Sequence, residues 1–310
     1  MISSSDLLRL PYTPDLTEGG IAYALLLLSH KNLPYDQLRW IVAGTIIELA
    51  FRRYLSQQGI PFDVSAVTRF SDPARHDVLL GGHRCDVKSQ LISTHRKISE
   101  LRRDPDSLLK ASVLIPIEPA IGDGFSDHDL FVFAFLLGLT ATSLGELKKA
   151  VGASQPSHLI HIMPPTWRHP LPWNPLGVLT LKSESTSDTL IEVSGQDQGR
   201  GNITRQVTLP PQTRVELNEP FYSITSLHVK NIPMARVGIH SRIDREAHLI
   251  QPLDWKNIWV YGMDIILAGY LTRGEFRQRV KTAQSLSLPV AELHPLPDLF
   301  NRVKEWGRRE

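Results

Sequence analysis

The sequence predicts a mixed α/β (α+β) fold, in which a central mixed sheet is flanked by helices and accompanied by an all-β insertion. In the first half, segments with helical spacing of apolar residues alternate with the apolar runs "ASVLIPI" and "LFVFAFLLGL", typical of strands buried on both faces. Beyond the proline-rich stretch "PPTWRHPLPWNPLG", short strand-like runs follow at even spacing with turn signals between them. That second pattern is typical of a small antiparallel sandwich or barrel.

The chain's 310 residues exceed the usual size of a single domain. We therefore predict an N-terminal helical segment, a core, an all-β insertion, and a return to the core with a C-terminal helix. Their ranges are 1–34, 35–170, 171–234 and 235–310.

Composition limits the functions that the chain can have. The net charge of +2 excludes a globally basic surface, so nucleic-acid binding would depend on a local patch. Cys85 is the single cysteine, which excludes an intramolecular disulfide and a cysteine-rich zinc site. The start of the chain lacks a basic leader, and the apolar run "IAYALLLL" is far shorter than the roughly 20 residues of a membrane helix. We therefore expect a cytoplasmic protein without a membrane partner.

The stretch "RHDVLLGGHRCDVKSQ" contains two short apolar runs joined by Gly81-Gly82. Gly-Gly is a strong signal for a two-residue hairpin loop, because both central residues of a type I′ turn need positive φ. With this loop, Asp77 would lie opposite Asp86 on one face of the sheet, and Lys88 would follow on the same face. Directly opposed like charges are destabilising, so this arrangement needs a compensating partner.

Two partners would compensate the opposed aspartates. Hard cations such as Mg²⁺ take carboxylate oxygens, which favours a metal site. The other interpretation is a surface salt-bridge cluster around Lys88, worth at most about 1 kcal/mol. The stretch alone does not decide between them.

A third acid lies upstream, in the helical pattern "DQLRWIVAGTIIELAFRRYLSQQGIPFDV". Glu48 is inside the apolar run "AGTIIELAF", where a solvated carboxylate is not expected. A buried acid is costly unless it is paired or binds a metal. The alternative is that Glu48 faces solvent and forms a helical ion pair with Arg52, its i+4 neighbour.

The order of these features resembles the PD-(D/E)xK nuclease superfamily, the fold shared by many restriction endonucleases. An acid on a helix precedes a first strand around "PFDVSAVTRF" and a hairpin that ends in Asp-x-Lys. The resemblance depends on Glu48 in "GTIIELAF", Asp77 in "RHDVLL", and Asp86 and Lys88 in "CDVKSQ". Gln90 matches a polar position that often follows the lysine in that family.

The resemblance covers roughly residues 35 to 140 and, less distinctly, a closing segment after 235. His76 stands where the family usually has a proline. The resemblance implies a restriction-endonuclease-like core and Mg²⁺-dependent hydrolysis of phosphodiester bonds, as a DNA endonuclease of restriction or defence type. DNA is favoured over RNA as the partner, and cutting both strands would favour a symmetric homodimer.

The resemblance also implies a role for each residue. Asp77, Asp86 and the backbone carbonyl of Val87 would hold Mg²⁺, with Mn²⁺ as an alternative. Lys88 would position the attacking water and stabilise charge on the phosphate, and Glu48 would hold a second ion or orient a metal-bound water. These roles fit a phosphodiester, which needs an electrophile, a nucleophile formed near neutral pH, and charge relief on the leaving oxygen.

Further polar residues surround this set. Gln90 could donate to a phosphate or to water, or it could be an ordinary strand residue. Cationic residues expected to contact the nucleic-acid backbone are Arg75, His76, Arg84, Arg96, Lys97, Arg102 and Arg103. Lysine and arginine contacts to phosphate supply most nonspecific affinity, although a run such as "THRKISELRR" could equally be a solvated helix face.

Histidines and aromatic residues in the second half of the chain are further candidates for a functional site. His158 and His161 are three apart on a predicted strand and would face opposite sides, so we expect structural or exposed histidines, not joint metal ligands. Trp255, Trp259 and Tyr261 could stack on bases, but their spacing favours core packing.

Two other functions are also compatible with the sequence. One is a noncatalytic nucleic-acid- or partner-binding protein on the same fold, and the other is a carbohydrate- or protein-binding module in the β-rich half.

Overall fold

The computed structural model describes residues 2–28, 31–64, 77–116, 126–141, 143–153, 158–230, 235–242, 246–258, 260–279 and 285–306. Within these ranges the predicted mixed α+β fold is confirmed, with a central mixed sheet and additional antiparallel sheets. None of the described helices has the length and apolar character needed to cross a membrane.

Both α-helices and β-strands occur along the described part of the chain. The α-helices are α1 Pro14–Leu28, α2 Tyr35–Gln57, α3 His95–Arg103, α4 Leu144–Gly152, α5 Pro165–Arg168, α6 Arg273–Arg279 and α7 Leu296–Trp306. The strands are β1 Leu8–Leu10, β2 Val78–Leu80, β3 His83–Ile92, β4 Ser112–Pro116, β5 Leu130–Thr140, β6 Leu159–Ile162, β7 Leu179–Ser183, β8 Thr189–Gln196, β9 Asn202–Leu209, β10 Arg214–Leu217, β11 Ser223–Val229, β12 Val237–Ser241, β13 His248–Ile250, β14 Lys256–Asn257, β15 Val260–Thr272 and β16 Ser285–Pro289. Short 3₁₀ helices cover Ser4–Asp6, Pro105–Lys110 and Val290–Glu292.

The chain forms two compact units. The first contains Met1–Gly19, Ala43–Leu139 and Gly262–Glu310. Its central sheet has the strand order β1-β15-β5-β3-β2. The pairs β1–β15 and β2–β3 are antiparallel, whereas β3 and β5 are parallel. Parallel neighbours need a crossover connection. The segment that links β3 to β5 supplies this crossover and contains α3.

The apolar run of β5 forms the centre of this unit. Phe131, Phe133 and Phe135 alternate along β5 and are buried in one cluster. The same cluster contains Ile98 of α3 and Phe276 of α6. Both helices therefore pack on this face of the sheet, which we call the Phe131 face.

Two predicted strands of this unit have particular outcomes. The strand predicted in "ASVLIPI" is β4, but it pairs with β16 in a separate two-stranded ladder and not in the central sheet. Its predicted burial on both faces is wrong, because Leu114 is 59% exposed. Most of the strand predicted in "PFDVSAVTRF" lies outside the described residues. At its start, the backbones of Asp63 and Leu79 exchange two hydrogen bonds, of 3.0 and 2.8 Å.

The second unit contains Gly20–Val42 and Thr140–Tyr261. Its strands form two sheets with the orders β10-β7-β12-β13 and β14-β6-β11-β8-β9. Their pairings are antiparallel, as the cadence after the proline-rich stretch predicts. The antiparallel strands extend beyond 171–234, because β6 before that range and β12 to β14 after it supply sheet neighbours. The two units divide the chain by compactness, whereas the four predicted segments divide it along the sequence. The boundaries of the four segments stay a prediction.

Candidate functional site

The hairpin between β2 and β3 forms as the glycine pair predicts. Gly81 and Gly82 have φ of 55° and 77°, the left-handed region that a type I′ turn requires. Three pairs follow the predicted register: Val78–Cys85, Leu79–Arg84 and Leu80–His83. In sequence, Asp77 directly precedes the Val78–Cys85 pair and Asp86 directly follows it.

Asp77 lies just outside this ladder. The predicted ladder pair Asp77–Asp86 does not form, because β2 begins at Val78 and the amide of Asp77 donates to the carbonyl of Cys85 at 3.1 Å. The carboxylate Oδ2 of Asp77 accepts a hydrogen bond from the amide of Val87 at 2.7 Å. Asp77 is therefore held against the backbone of β3 at the residue that follows Asp86.

Asp86 contacts two cations. Its Oδ2 lies 3.4 Å from Nζ of Lys88 and 3.4 Å from Nη2 of Arg273, the first residue of α6. Asp86 pairs with Phe131 in the β3–β5 ladder, and both cations approach that ring, at 5.4 Å for Lys88 and 4.9 Å for Arg273. Asp86, Lys88 and Arg273 therefore lie together on the Phe131 face, where cation–π attraction adds to the ion pairs.

Burial governs the electrostatics of this cluster. The side chain of Arg273 is 2% exposed, compared with 14% for Asp86 and 29% for Lys88. Burial lowers the pKa of the Arg273 guanidinium, and the carboxylates of Asp86 and Asp129 oppose that shift. Lys88 is the cation in this cluster that solvent or a ligand reaches most easily.

Glu48 is tied to the hairpin through Arg52. Glu48 forms an ion pair with Arg52, and Nη2 of Arg52 also donates to the carbonyl of Asp77 at 2.7 Å. The predicted i+4 ion pair is confirmed, but the expectation that Glu48 then faces solvent is wrong, because its side chain is only 13% exposed. The run "AGTIIELAF" is apolar, and within it the carboxylate is half-buried together with its partner Arg52.

Glu48 lies on α2, the helix that contacts β3 on the face opposite Asp86. A methyl group added at Gly44 of α2 would lie 3.2 Å from Oγ of Ser89, so α2 contacts β3 on the side of Ser89. Side chains alternate along a strand, and Asp86 and Lys88 therefore point to the other face. Glu48, one helical turn after Gly44, reaches the backbone of Asp77 by way of Arg52.

These residues differ in how well they fit a metal ion. Within the described part of the chain, no group of three or more His, Cys, Asp or Glu side chains is placed to hold a metal. Asp77 and Asp86 flank Val87, whose carbonyl adds a further hard oxygen. Mg²⁺ usually takes one or two carboxylates and completes its coordination with water and phosphate oxygens. The donor chemistry of Asp77, Asp86 and Val87 thus fits Mg²⁺ or Mn²⁺. The role predicted for Glu48, to hold a second ion or to orient a metal-bound water, stays a prediction.

Gln90 is exposed on β3 and pairs with Phe135 of β5. It lies two residues beyond Lys88, so it points to the same face. Both interpretations, a donor to phosphate or water and an ordinary strand residue, stay predictions.

The predicted nucleic-acid contacts have different surroundings. Arg75 and His76 lie outside the described residues. Arg84 is half-buried in β3, and its amide donates to Oδ1 of Asp129 at 3.0 Å. The remaining four are exposed on α3: Arg96, Lys97, Arg102 and Arg103. Ile98 and Leu101 bury the inner side of this helix, while Arg102 forms an ion pair with Asp264 at 2.7 Å.

Two residues of this site were missed by sequence reasoning, Arg273 and Asp129. Asp129 is 4% exposed, and its carboxylate accepts hydrogen bonds from the amides of Arg84 and Ser126, at 3.0 and 2.9 Å. Its carbonyl accepts from the amide of Arg273 at 2.7 Å. Asp129 therefore joins the hairpin to the start of α6. Asp129 directly precedes the apolar run "LFVFAFLLGL", and Arg273 directly follows the run "IILAGYLT". A charged residue at the end of a buried strand is the sequence signal that could have identified both as site residues.

The histidines of the second unit form two separate pairs. Nδ1 of His158 lies 3.1 Å from Nε2 of His228, which also approaches Glu192 at 3.5 Å. His161 contacts His248 through their Nε2 atoms at 2.9 Å. His158 and His161 thus have different partners, as their predicted opposite orientation implies. Burial lowers the pKa of His158 to about 3.

Of the aromatic residues predicted to pack in the core, Trp255, Trp259 and Tyr261, the structure describes the side chain of Trp255. Trp255 is 5% exposed, which confirms core packing for that residue. Trp259 and the side chain of Tyr261 lie outside the described residues.

Comparisons of the chain with protein-family models, with curated proteins and with solved structures find no match. Fold and site together define a mixed α+β protein whose β2–β3 hairpin, at one edge of the central sheet, carries an ion-paired Asp-x-Lys cluster with a second aspartate beside it.

Proposed function

We propose that the chain is a Mg²⁺-dependent nuclease, a DNA endonuclease of restriction or defence type built on a restriction-endonuclease-like core. The observation that carries this proposal is the placement of Asp77 against Val87, directly beside the Asp86–Lys88 ion pair. Two carboxylates, a backbone carbonyl and a part-exposed ammonium are the groups that metal-assisted phosphodiester hydrolysis uses.

The order of the surrounding elements supports the same proposal. An acid-bearing helix, α2, precedes the hairpin β2–β3, and α3 then leads to the parallel strand β5. This is the order in which the residues of the PD-(D/E)xK resemblance occur along the chain. The support concerns topology, and it is independent of any side-chain contact.

The chain's own residues divide the chemistry as follows. A Mg²⁺ ion held by Asp77, Asp86 and the carbonyl of Val87 would supply an electrophile and a water of lowered pKa. Lys88, with its side chain 29% exposed, would contact the phosphate and stabilise the charge that develops there. Buried Arg273 would hold Asp86 in position, since its guanidinium is fixed over Phe131.

A second candidate is a noncatalytic nucleic-acid-binding protein on the same fold. The observation that favours it is that Glu48 and Asp86 both contact cations, Arg52 in one case and Lys88 with Arg273 in the other. Acids neutralised in this way leave a site that binds phosphate through its cations without hydrolysing it.

Cleavage of a supercoiled plasmid with Mg²⁺ or Mn²⁺ distinguishes the two candidates. The nuclease proposal expects nicked or linear product from wild type, none with EDTA, and a rate at least about 10²-fold lower for Asp86→Asn. Asp106→Asn, which changes an exposed aspartate of the same unit, is the matched control and should cut like wild type. DNA binding without cleavage under either metal would favour the second candidate, and undiminished cleavage by Asp86→Asn would contradict the site.

A further inference from the structure

The exposed face of the sheet β10-β7-β12-β13, in the second unit, contains a hollow of about 460 Å³. Its sides come from alternate residues of neighbouring strands, which point to one face of a sheet. The residues that matter for its chemistry are Lys182 and Glu184, Arg214, Arg236, Gly238 and His240.

Gly238 explains why there is a hollow at all. It pairs with Lys182 of β7 on one side and with Leu249 of β13 on the other. Since glycine has no side chain, Cδ2 of Leu249 comes within 3.3 Å of the place that a Cβ of Gly238 would occupy, and no other atom of the described residues beyond its two chain neighbours lies within 4 Å of that place. A glycine in the interior of a strand often marks a place where a ligand approaches the backbone closely.

The charge around Gly238 is mainly positive. Arg214 of β10 lies directly opposite Lys182 of β7, an arrangement of like charges that is destabilising without an anion nearby. Arg236 adds a third cation, and His240 lies further along β12. Among the described lining residues Glu184 is the one acid, and its two carboxylate oxygens accept hydrogen bonds from Arg236 at 2.8 Å each.

We propose that this hollow binds a small ligand of nucleotide size through its phosphate groups. Lysine and arginine side chains are the usual protein partners of phosphate, and the guanidinium of Arg236 is already oriented by Glu184. The volume falls within the range of about 300–1,000 Å³ that small-molecule sites occupy. Leu249, 53% exposed beside Gly238, offers apolar surface for a ring.

The proposal is independent of the proposed nuclease activity. All residues of the hollow belong to the second unit, and none of them belongs to the Asp77–Asp86 cluster. Binding can therefore be measured with EDTA present, where metal-dependent cleavage does not occur.

The test is isothermal titration of the full chain with ADP, with inorganic phosphate, and with a short oligothymidylate, in EDTA. We expect ADP to bind wild type more tightly than phosphate does, and the Lys182→Gln/Arg214→Gln double variant to bind ADP at least about tenfold more weakly. Lys148→Gln changes an exposed lysine of the same unit on α4, and it should bind ADP like wild type.

Three results would overturn the proposal. They are absence of ADP binding by wild type, equal ADP affinity of the folded double variant, and binding of the oligonucleotide without binding of ADP. The last result would assign the face to a nucleic-acid backbone. The thermal unfolding temperature of each variant shows whether it is folded, and the single variant Arg214→Gln serves if the double variant is not.

Discussion

Arg273 and Asp86 are 187 residues apart in the sequence, yet Nη2 of the arginine lies 3.4 Å from Oδ2 of the aspartate. The guanidinium is 2% exposed and also lies over the ring of Phe131, 4.9 Å from its centroid. This contact joins the start of α6 to the middle of β3 and fixes the aspartate that the proposed function depends on.

Removing the arginine should destabilise the first unit. Arg273→Met is expected to lower the free energy of unfolding by roughly 2–4 kcal/mol, because it leaves the mostly buried Asp86 without one of its two cations. Urea denaturation measures this change. Arg277→Met is the control: its ion pair with Asp127 is more exposed, so its loss should change stability by less than about 1 kcal/mol. Equal stabilities of the two variants would contradict the structural role of Arg273.

Replacing Lys88 should impair catalysis and spare metal binding. Lys88→Met is expected to reduce the single-turnover rate of plasmid cleavage by about 10²–10³-fold, because the ammonium that stabilises the phosphate is lost. Its affinity for Mn²⁺ should not fall, since Lys88 competes with the metal for Asp86. Lys110→Met alters an exposed lysine of the same unit and should cut at the wild-type rate. A variant at Lys88 that cuts normally would remove the lysine from the mechanism.

The cationic face of α3 should contribute to DNA affinity. Charge reversal in Arg96→Glu/Lys97→Glu is expected to weaken duplex binding and to reduce the slope of log affinity against log salt by about 2, one for each lost phosphate contact. Fluorescence anisotropy at several salt concentrations measures both effects. Arg302→Glu/Lys304→Glu makes the same charge change on α7 of the same unit. If both double variants weaken binding equally, α3 is an ordinary solvated face.

The buried histidine pair of the second unit should make stability depend on pH. The pKa of His158 falls from about 6.5 to about 3, because the side chain is buried next to His228 and near Lys230, while Glu192 opposes the shift. The unfolded chain therefore binds a proton that the folded chain does not, once the pH is below the ordinary histidine value. Stability is fully present above about pH 6.5 and falls, by up to about 1.4 kcal/mol per pH unit, as the pH drops toward 3.

The corresponding variant is His158→Gln. Between pH 6 and pH 4, its loss of unfolding free energy should be smaller than that of wild type by about 2 kcal/mol, because one titrating group is gone. Urea unfolding at several pH values measures the difference. His169→Gln changes an exposed histidine of the same unit and should follow the wild-type curve. Identical pH profiles for wild type and His158→Gln would contradict a depressed pKa.

Local signals predicted much of the fold. Gly81-Gly82 defined the hairpin register because only a turn with positive φ at both residues suits that loop. The continuous apolar run of β5 marked a strand buried on both faces. Each of these features depends on residues adjacent in sequence, so the pattern carries the structural information directly.

Long-range partners were not predictable in the same way. Arg273 and Asp129 meet the hairpin through contacts that no local period encodes. Glu48 is linked to the hairpin through Arg52, which donates to the carbonyl of Asp77, and β6 joins the second unit because β11 and β14 are its neighbours. The choice among possible neighbours is a property of the whole packed chain.

The most direct measurement is isothermal titration of Mn²⁺ into wild type, Asp77→Asn and the control Asp106→Asn. If Asp77 and Asp86 hold a metal together, wild type and control bind Mn²⁺ with the same affinity, and Asp77→Asn binds at least about tenfold more weakly because one anionic ligand is lost. Equal Mn²⁺ binding by wild type and Asp77→Asn, or no binding by wild type, would contradict the metal site and with it the proposed nuclease activity.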